Sequence, residues 1–347
     1  MILPEVRRLC DALQNERLDG ADDDLVALAR AHRVDVMLAD RRHESDAVRV
    51  AAARELSCRR DIAEVVEASR RAAVDVLLLK GAALAYTHYR EPHLRPFNDV
   101  DLLIRPADRD RAARAIESAG YSRAVETDAE LWSGQHHFVK TTPSGRVMVD
   151  LHWRIANPIA FAEALVFDEA WERSVPVPAL GSHARTLSPA DSLLLACLHR
   201  VAHHKDHVQL LWLWDIHLLA SRMPAGEFEA FAASALRARV GAVCAHSLAL
   251  AQECFRTAVP EDVMTSLGGA AGEPSAAFVD RSMSPFDVAR ADLAALGGWR
   301  ERAGLVREHL FPSTSYMRRR YPAWPAALLP LAYVHRMIRG APRWLRR

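Results

Sequence analysis

The segment Asp99-Val100-Asp101-Leu102-Leu103-Ile104 limits the possible folds of this 347-residue chain more than any other. Read as a strand, it alternates: Val100, Leu102 and Ile104 fall on one face, Asp99, Asp101 and Leu103 on the other. The apolar face has to be sealed against helices. The opposite face carries two carboxylates about 7 Å apart, which repel unless something positive joins them. A second segment, Val147-Met148-Val149-Asp150-Leu151-His152-Trp153, has the same character. Val147, Val149, Leu151 and Trp153 form its core face, and Met148, Asp150 and His152 share the other. An aspartate centred in so apolar a strand is costly unless it is paired or metal-bound.

If the two strands are neighbours, three carboxylates converge. Three aspartates from two strands can hold two Mg²⁺ (or Mn²⁺) ions roughly 3.5–4 Å apart, as in enzymes of in-line phosphoryl or nucleotidyl displacement. Lys80-Gly81 supplies a complementary feature. Val74-Asp75-Val76-Leu77-Leu78-Leu79 reads as a buried strand, and a glycine directly after it lets a helix N-terminus approach a phosphate. Only three of the 45 cations are lysines, Lys80, Lys140 and Lys205, so a lysine at this junction stands out in an arginine-using chain.

Around this centre the chain divides by pattern. Residues 5–18, 22–38 and 45–72 have helical spacing, with Val48, Ala51, Ala52 and Leu56 as one apolar stripe. They predict a helical segment over 1–72 packed on the core C-terminal to it. Residues 73–187 alternate strands and helices: Pro106 opens a helix that Gly120 stops, and Pro143-Ser144-Gly145-Arg146 turns a hairpin between 137–142 and 147–153. That order gives a small mixed sheet with helices on one face, an α+β core. From Ser188-Pro189-Ala190-Asp191, a capping-box-like start, amphipathic helices are expected through about 310. Residues 311–347 form a basic tail: from Met317 onward there are eight arginines and no carboxylate. It reads as a solvated cationic end packed by Trp324, Leu328, Leu331 and Tyr333, with an anionic-lipid or RNA contact as the functional alternative.

Lys80-Gly81 after a strand, Arg95 before Asp99-Val100-Asp101-Leu102-Leu103, and Val149-Asp150-Leu151-His152-Trp153 together resemble the nucleotidyltransferases of the DNA polymerase β superfamily. The likeness is greatest to the bacterial group of uncharacterised nucleotidyltransferases, over about 76–153 and more loosely through the helices bearing His199, His203 and Asp215. The resemblance implies metal-dependent transfer of a nucleoside monophosphate, AMP by preference, from an NTP to an acceptor. Asp99, Asp101 and Asp150 would be the catalytic metal ligands, and Lys80, Gly81 and Arg95 would bind the nucleotide. His152, His199, His203 and Asp215 would line the acceptor cleft. This chain has Gly81-Ala82-Ala83 where the superfamily commonly has Gly-Ser, so the phosphate grip falls to Lys80, Arg95 or backbone N–H groups. A nucleotide-binding or scaffold protein without turnover, and a two-metal phosphohydrolase, are the competing readings.

Other features weigh less. His199, His203 and His207 at i, i+4 and i+8 form a zinc-like ladder if one helix continues through them; the alternative is a turn at Lys205-Asp206, with Asp206 capping the next helix and the histidines lining a cleft. Asp215, in an otherwise apolar helix, would pair with a histidine or arginine or act as a general base. Gln135-His136-His137 reads as surface. The formal charge of +1 argues against a general nucleic-acid binder, and five cysteines without a C-x-x-C pair read as free thiols. No apolar stretch reaches the roughly 20 residues of a membrane span and no export signal is seen, so a soluble cytoplasmic protein is expected. No G-x-S-x-G, H-E-x-x-H, P-loop or dinucleotide fingerprint is present.

Overall fold

In the computed structural model the described residues are 2–15, 22–42, 45–124, 134–142, 145–155, 158–279 and 284–345. Helices lead: α1 Pro4–Gln14, α2 Asp23–Ala31, α3 Asp35–Arg41 and α4 Ser45–Arg71. The Asp22 carboxylate caps α2 by accepting from Leu25 N at 2.8 Å. The single helix predicted over 22–38 is two, because Arg33 turns left-handed at φ 58°. That turn sends the Val34 N–H back to the Ala29 carbonyl and buries Val34 completely. The stripe Val48, Ala51, Ala52 and Leu56 is not packed as expected, and Leu56 is 55% exposed. Burial of apolar residues on α4 begins nearly two turns later, at Ile62, Val65 and Val66, where the helix reaches the sheet core.

The sheet is built from β1 Leu77–Leu79, β2 Asp99–Leu103, β3 Ser122–Arg123, β4 Gln135–Thr142, β5 Gly145–His152, β6 Val175–Pro176 and β7 Arg185–Thr186. Between them run α5 Lys80–Thr87, α6 Arg109–Ser118 and α7 Phe167–Arg173. The strand order is β3-β4-β5-β2-β1-β7-β6. β2 runs antiparallel to β1 and parallel to β5, while β4 and β5 form the hairpin. Residues 143 and 144 of its turn lie outside the described residues. Gly120, at φ 86°, ends α6 as expected.

Alternation sorts the strands into two cores. Leu78, Val100, Leu102, Val149 and Leu151 join Ile62 and Val66 of α4 and Ala112 and Ile116 of α6. Leu77, Leu79 and Leu103 face the other way, into a core shared with Leu193, Leu194 and Leu198. Helices therefore cover both faces of the sheet, not one.

The second covering layer is α8 Pro189–His204, α9 Leu210–Ser221, α10 Ala225–Arg237 and α11 Gly241–Phe255. Ser188 caps α8 by accepting from Asp191 N, but the reciprocal half of a capping box is missing: the Asp191 carboxylate takes the Nε and Nη2 of Arg173 at 3.0 and 3.1 Å. Lys205 and Asp206, both at positive φ, end α8 in a turn. Asp206 does not cap α9; it pairs with the fully buried Arg200 and lies 3.2 Å from His246 Nε2. Beyond, α12 Glu261–Gly268, α13 Pro285–Ala295, α14 Trp299–Leu310, α15 Thr314–Arg320 and α16 Leu329–Leu345 complete the described helices. Met317, Leu329 and Ala332 form a small core of their own beside Trp324 and Tyr333, whereas Leu328 and Leu331 stay exposed, contrary to expectation. All five cysteines are free thiols. Among the described residues no helix is long and apolar enough to cross a membrane.

Candidate active site

The register of the two central parallel strands creates the site. Asp101 on β2 lies opposite Asp150 on β5, and Leu103 opposite His152. Because side chains alternate, Asp101, Asp150 and His152 emerge on one face. All three are buried, and each offers a ligand atom within 4.8 Å of the others. Among the described residues this is the group of histidine, cysteine or acidic side chains compact enough for a metal ion. His152 thus joins the carboxylates more closely than Asp99 does.

Two side chains hold the Asp101 carboxylate. Lys80 Nζ donates to Oδ1 at 2.6 Å, and His152 Nε2 lies 2.8 Å from the same oxygen. Burial alone would raise this carboxyl, but the Lys80 charge and the His152 hydrogen bond outweigh it and hold the group far below the usual carboxylate range. Asp99 moves the opposite way, raised by burial and then by the negative charges of Asp101 and Asp150. Lys80 thus compensates Asp101, whereas Asp99 is left facing two like charges.

Lys80 reaches Asp101 through a strained junction. It sits at φ 51°, a left-handed conformation that costs a non-glycine residue about 1 kcal/mol or more. The next residue has no room for a side chain: a Cβ on Gly81 would lie 2.9 Å from Arg95 Nη1 and 3.1 Å from Phe97 Cβ. Arg95 is itself fixed from the helical side. Its Nε and Nη2 each donate at 2.7 Å to the two oxygens of Asp215 on α9, and Nη1 donates to the Pro96 carbonyl. Tyr89 adds its hydroxyl to Asp215 Oδ1 at 2.8 Å. Arg95, read as a nucleotide ligand, is therefore joined to Asp215, which finds the arginine partner expected of it.

Of the cleft histidines, His199 and His203 stand together, with ring centroids 5.1 Å apart. His207 does not extend them, because α8 ends at His204 and His207 is exposed beyond the turn. His204 takes its place, its Nε2 3.3 Å from His199 Nε2 and its ring stacked on Trp212 at 3.9 Å. Burial, then the Lys80 charge, lowers His203 to about 3 and His204 to about 4, and pushes His199 well below its ordinary value. Lys80, Arg95, Ser192, His199, Trp212 and Asp215 line a small cavity of about 40 Å³, room for a water molecule.

One residue of the candidate site escaped the sequence reading. His137, taken as surface, pairs in register with Asp150, and its Nδ1 lies 2.7 Å from Asp150 Oδ1. Gln135 Nε2 reaches the other ring nitrogen at 3.1 Å, and with the amide donating there, the Nδ1 proton points at Asp150.

Carboxylates in register on two parallel strands, beside a Lys-Gly strand-to-helix turn, match the core that the resemblance implies for a nucleotidyltransferase. Residues 20–256 match the uncharacterised nucleotidyltransferase family, and the chain belongs to it. No curated protein matches the chain. The family match ends with α11, leaving 257–347 outside it.

Proposed function

We propose that this chain transfers a nucleoside monophosphate, AMP from ATP by preference, to a hydroxyl of a small molecule or a protein side chain. The observation that carries this reading is the in-register pair Asp101–Asp150 with His152 beside it, in contact with Lys80 of the Lys80-Gly81 junction. The donor set fits a hard divalent cation: buried carboxylates with one imidazole, and Asp99 left facing two like charges. Asp101, Asp150 and His152, with Asp99 at the edge, would hold Mg²⁺ or Mn²⁺, as one ion or two. Bound there, divalent ions neutralise the triphosphate and ease deprotonation of the attacking hydroxyl.

The chain's own residues supply the rest. Backbone N–H groups at the N-terminus of α5 would meet phosphate oxygens in place of the missing serine. Lys80 provides a point charge next to them, now paired with Asp101, while Arg95 is held by Asp215 and packs on Gly81. Asp150 accepts the acceptor proton, with His137 and Gln135 fixing its orientation. The acceptor oxygen forms a bond to the α-phosphorus as the bond to the β-phosphate oxygen breaks and pyrophosphate leaves.

Incubation with α-labelled NTPs, Mg²⁺ or Mn²⁺ and an acceptor panel tests this. Label should move to an acceptor with equal release of pyrophosphate, and Asp101→Asn should lower the rate by roughly 10³-fold, about 4 kcal/mol. Equal turnover by wild type and Asp101→Asn would refute the reading. The lysine ion pair on Asp101 also favours a second reading, a nucleotide-binding protein without turnover; tight ATP binding with no adduct would mark it.

A further inference from the structure

The helices beyond the family match present a surface unlike the rest of the chain. α16 is apolar on two opposite sides and packed on one. Leu329 and Ala332 are buried against Met317 of α15. On the outer side Leu331, Val334 and Ile338, three and four residues apart, are 56%, 47% and 68% exposed, and Leu328 just ahead of them is 45% exposed. Single exposed aliphatic residues are ordinary, but a continuous stripe along one helix marks a contact face.

The C-terminal segment that carries the stripe is basic. Arg318, Arg319, Arg320 and Arg339 are exposed and pair with no carboxylate among the described residues, and the sequence from Met317 onward contains none. Arg320, Arg336 and Arg339 also flank a cleft of about 640 Å³ whose walls include Leu293, Val306 and Met337. A partner must therefore offer negative charge and an apolar phase together.

We propose that this C-terminal face docks on an anionic phospholipid bilayer, with α16 lying in the interface and the arginines on the headgroups. No described helix can cross a membrane, so the contact is peripheral. RNA would satisfy the arginines but leave Leu331, Val334 and Ile338 in water. A second copy set stripe to stripe would bring two arginine clusters of like sign together. The inference does not depend on the catalytic reading, and its readout is not activity.

Co-sedimentation of the full chain with vesicles tests it. Vesicles of neutral phosphatidylcholine are compared with the same vesicles containing anionic phosphatidylglycerol, at about 0.1 M and about 0.5 M salt. The chain should pellet with the anionic vesicles only, and less at high salt. Leu331→Ser/Ile338→Ser and, separately, Arg318→Glu/Arg319→Glu/Arg320→Glu should each lower the partition coefficient roughly tenfold or more, with unchanged circular dichroism and monodisperse elution. Absence of pelleting, or equal pelleting on neutral vesicles, would overturn the proposal. So would a soluble dimer dissolved by the serine substitutions, or RNA binding that is lost in the glutamate variant while vesicles are ignored.

Discussion

Asp215→Ala strips the acceptor from a buried cluster that joins the sheet core to the helical layer. Arg95 and Asp215 side chains are 7% and 5% exposed, so water and salt screen their bidentate contact very little. The substitution leaves the Arg95 guanidinium charged and unpaired, and the Tyr89 hydroxyl loses its acceptor as well. Removing one member of a buried ion pair costs about 3–5 kcal/mol, and a stranded hydroxyl adds about 1 kcal/mol. Arg95→Met/Asp215→Leu removes both charges and keeps apolar volume, so its cost should fall well below that of Asp215→Ala. Urea unfolding followed by tryptophan fluorescence is suited to this, because Trp212 and Trp214 lie just ahead of Asp215 on α9. A loss below about 1 kcal/mol for Asp215→Ala would refute the reasoning. So would a double variant as unstable as the sum of the two single changes.

Gly81→Ala should destabilise the fold by about 1–3 kcal/mol, since the new methyl meets an Arg95 that Asp215 and Pro96 prevent from moving; urea midpoints equal to wild type would count against that packing. His203 and His204, lowered to about 3 and about 4, stay neutral in the fold while the unfolded chain protonates them near 6.5. Their contribution to stability is complete above that pH and is lost as pH falls below it, at up to about 1.4 kcal/mol per unit for each histidine. His204→Gln should flatten the decline between about pH 6 and 4, and an unchanged slope would rule the histidine out. Asp292, raised by burial to about 6, works in the other direction: the native state holds the proton more tightly, so stability is gained as pH falls through that value and lost as it rises. Asp292→Asn should therefore stabilise by up to about 3 kcal/mol at pH 8, by about half that at pH 5, and change little only below about pH 4, as read from urea midpoints at the three values.

The aspartate pattern was legible because a period of two admits a single sorting of faces, and both strands keep that sorting. What chain order hides is register and distance. A hairpin turned at 143–146 would set residue 137 against 152; the observed pairing of Thr142 with Gly145 moves it to 150, which makes His137 part of the site. Arg95 and Asp215 are 120 residues apart, and no local spacing announces their meeting. The break at Arg33 was invisible for a related reason: the helical period continues through it, and the turn is set by the burial of Val34. Helical spacing also gives Leu329 and Leu331 equal claim to burial, so which one is covered depends on where α15 lies.

The sheet acts as a partition. Leu78, Val100 and Leu102 belong to one apolar compartment, Leu77, Leu79 and Leu103 to the other, and a single layer of backbone separates them. A volume change behind the sheet, on the α4 and α6 side, is relayed to the carboxylates only by bending strands that are hydrogen-bonded on both sides. A change among α8 to α11 reaches the pocket wall directly. The wall of the candidate site can thus be remodelled in one compartment while the other keeps the acidic strands in register, which separates the freedom to diversify from the requirement to stay folded.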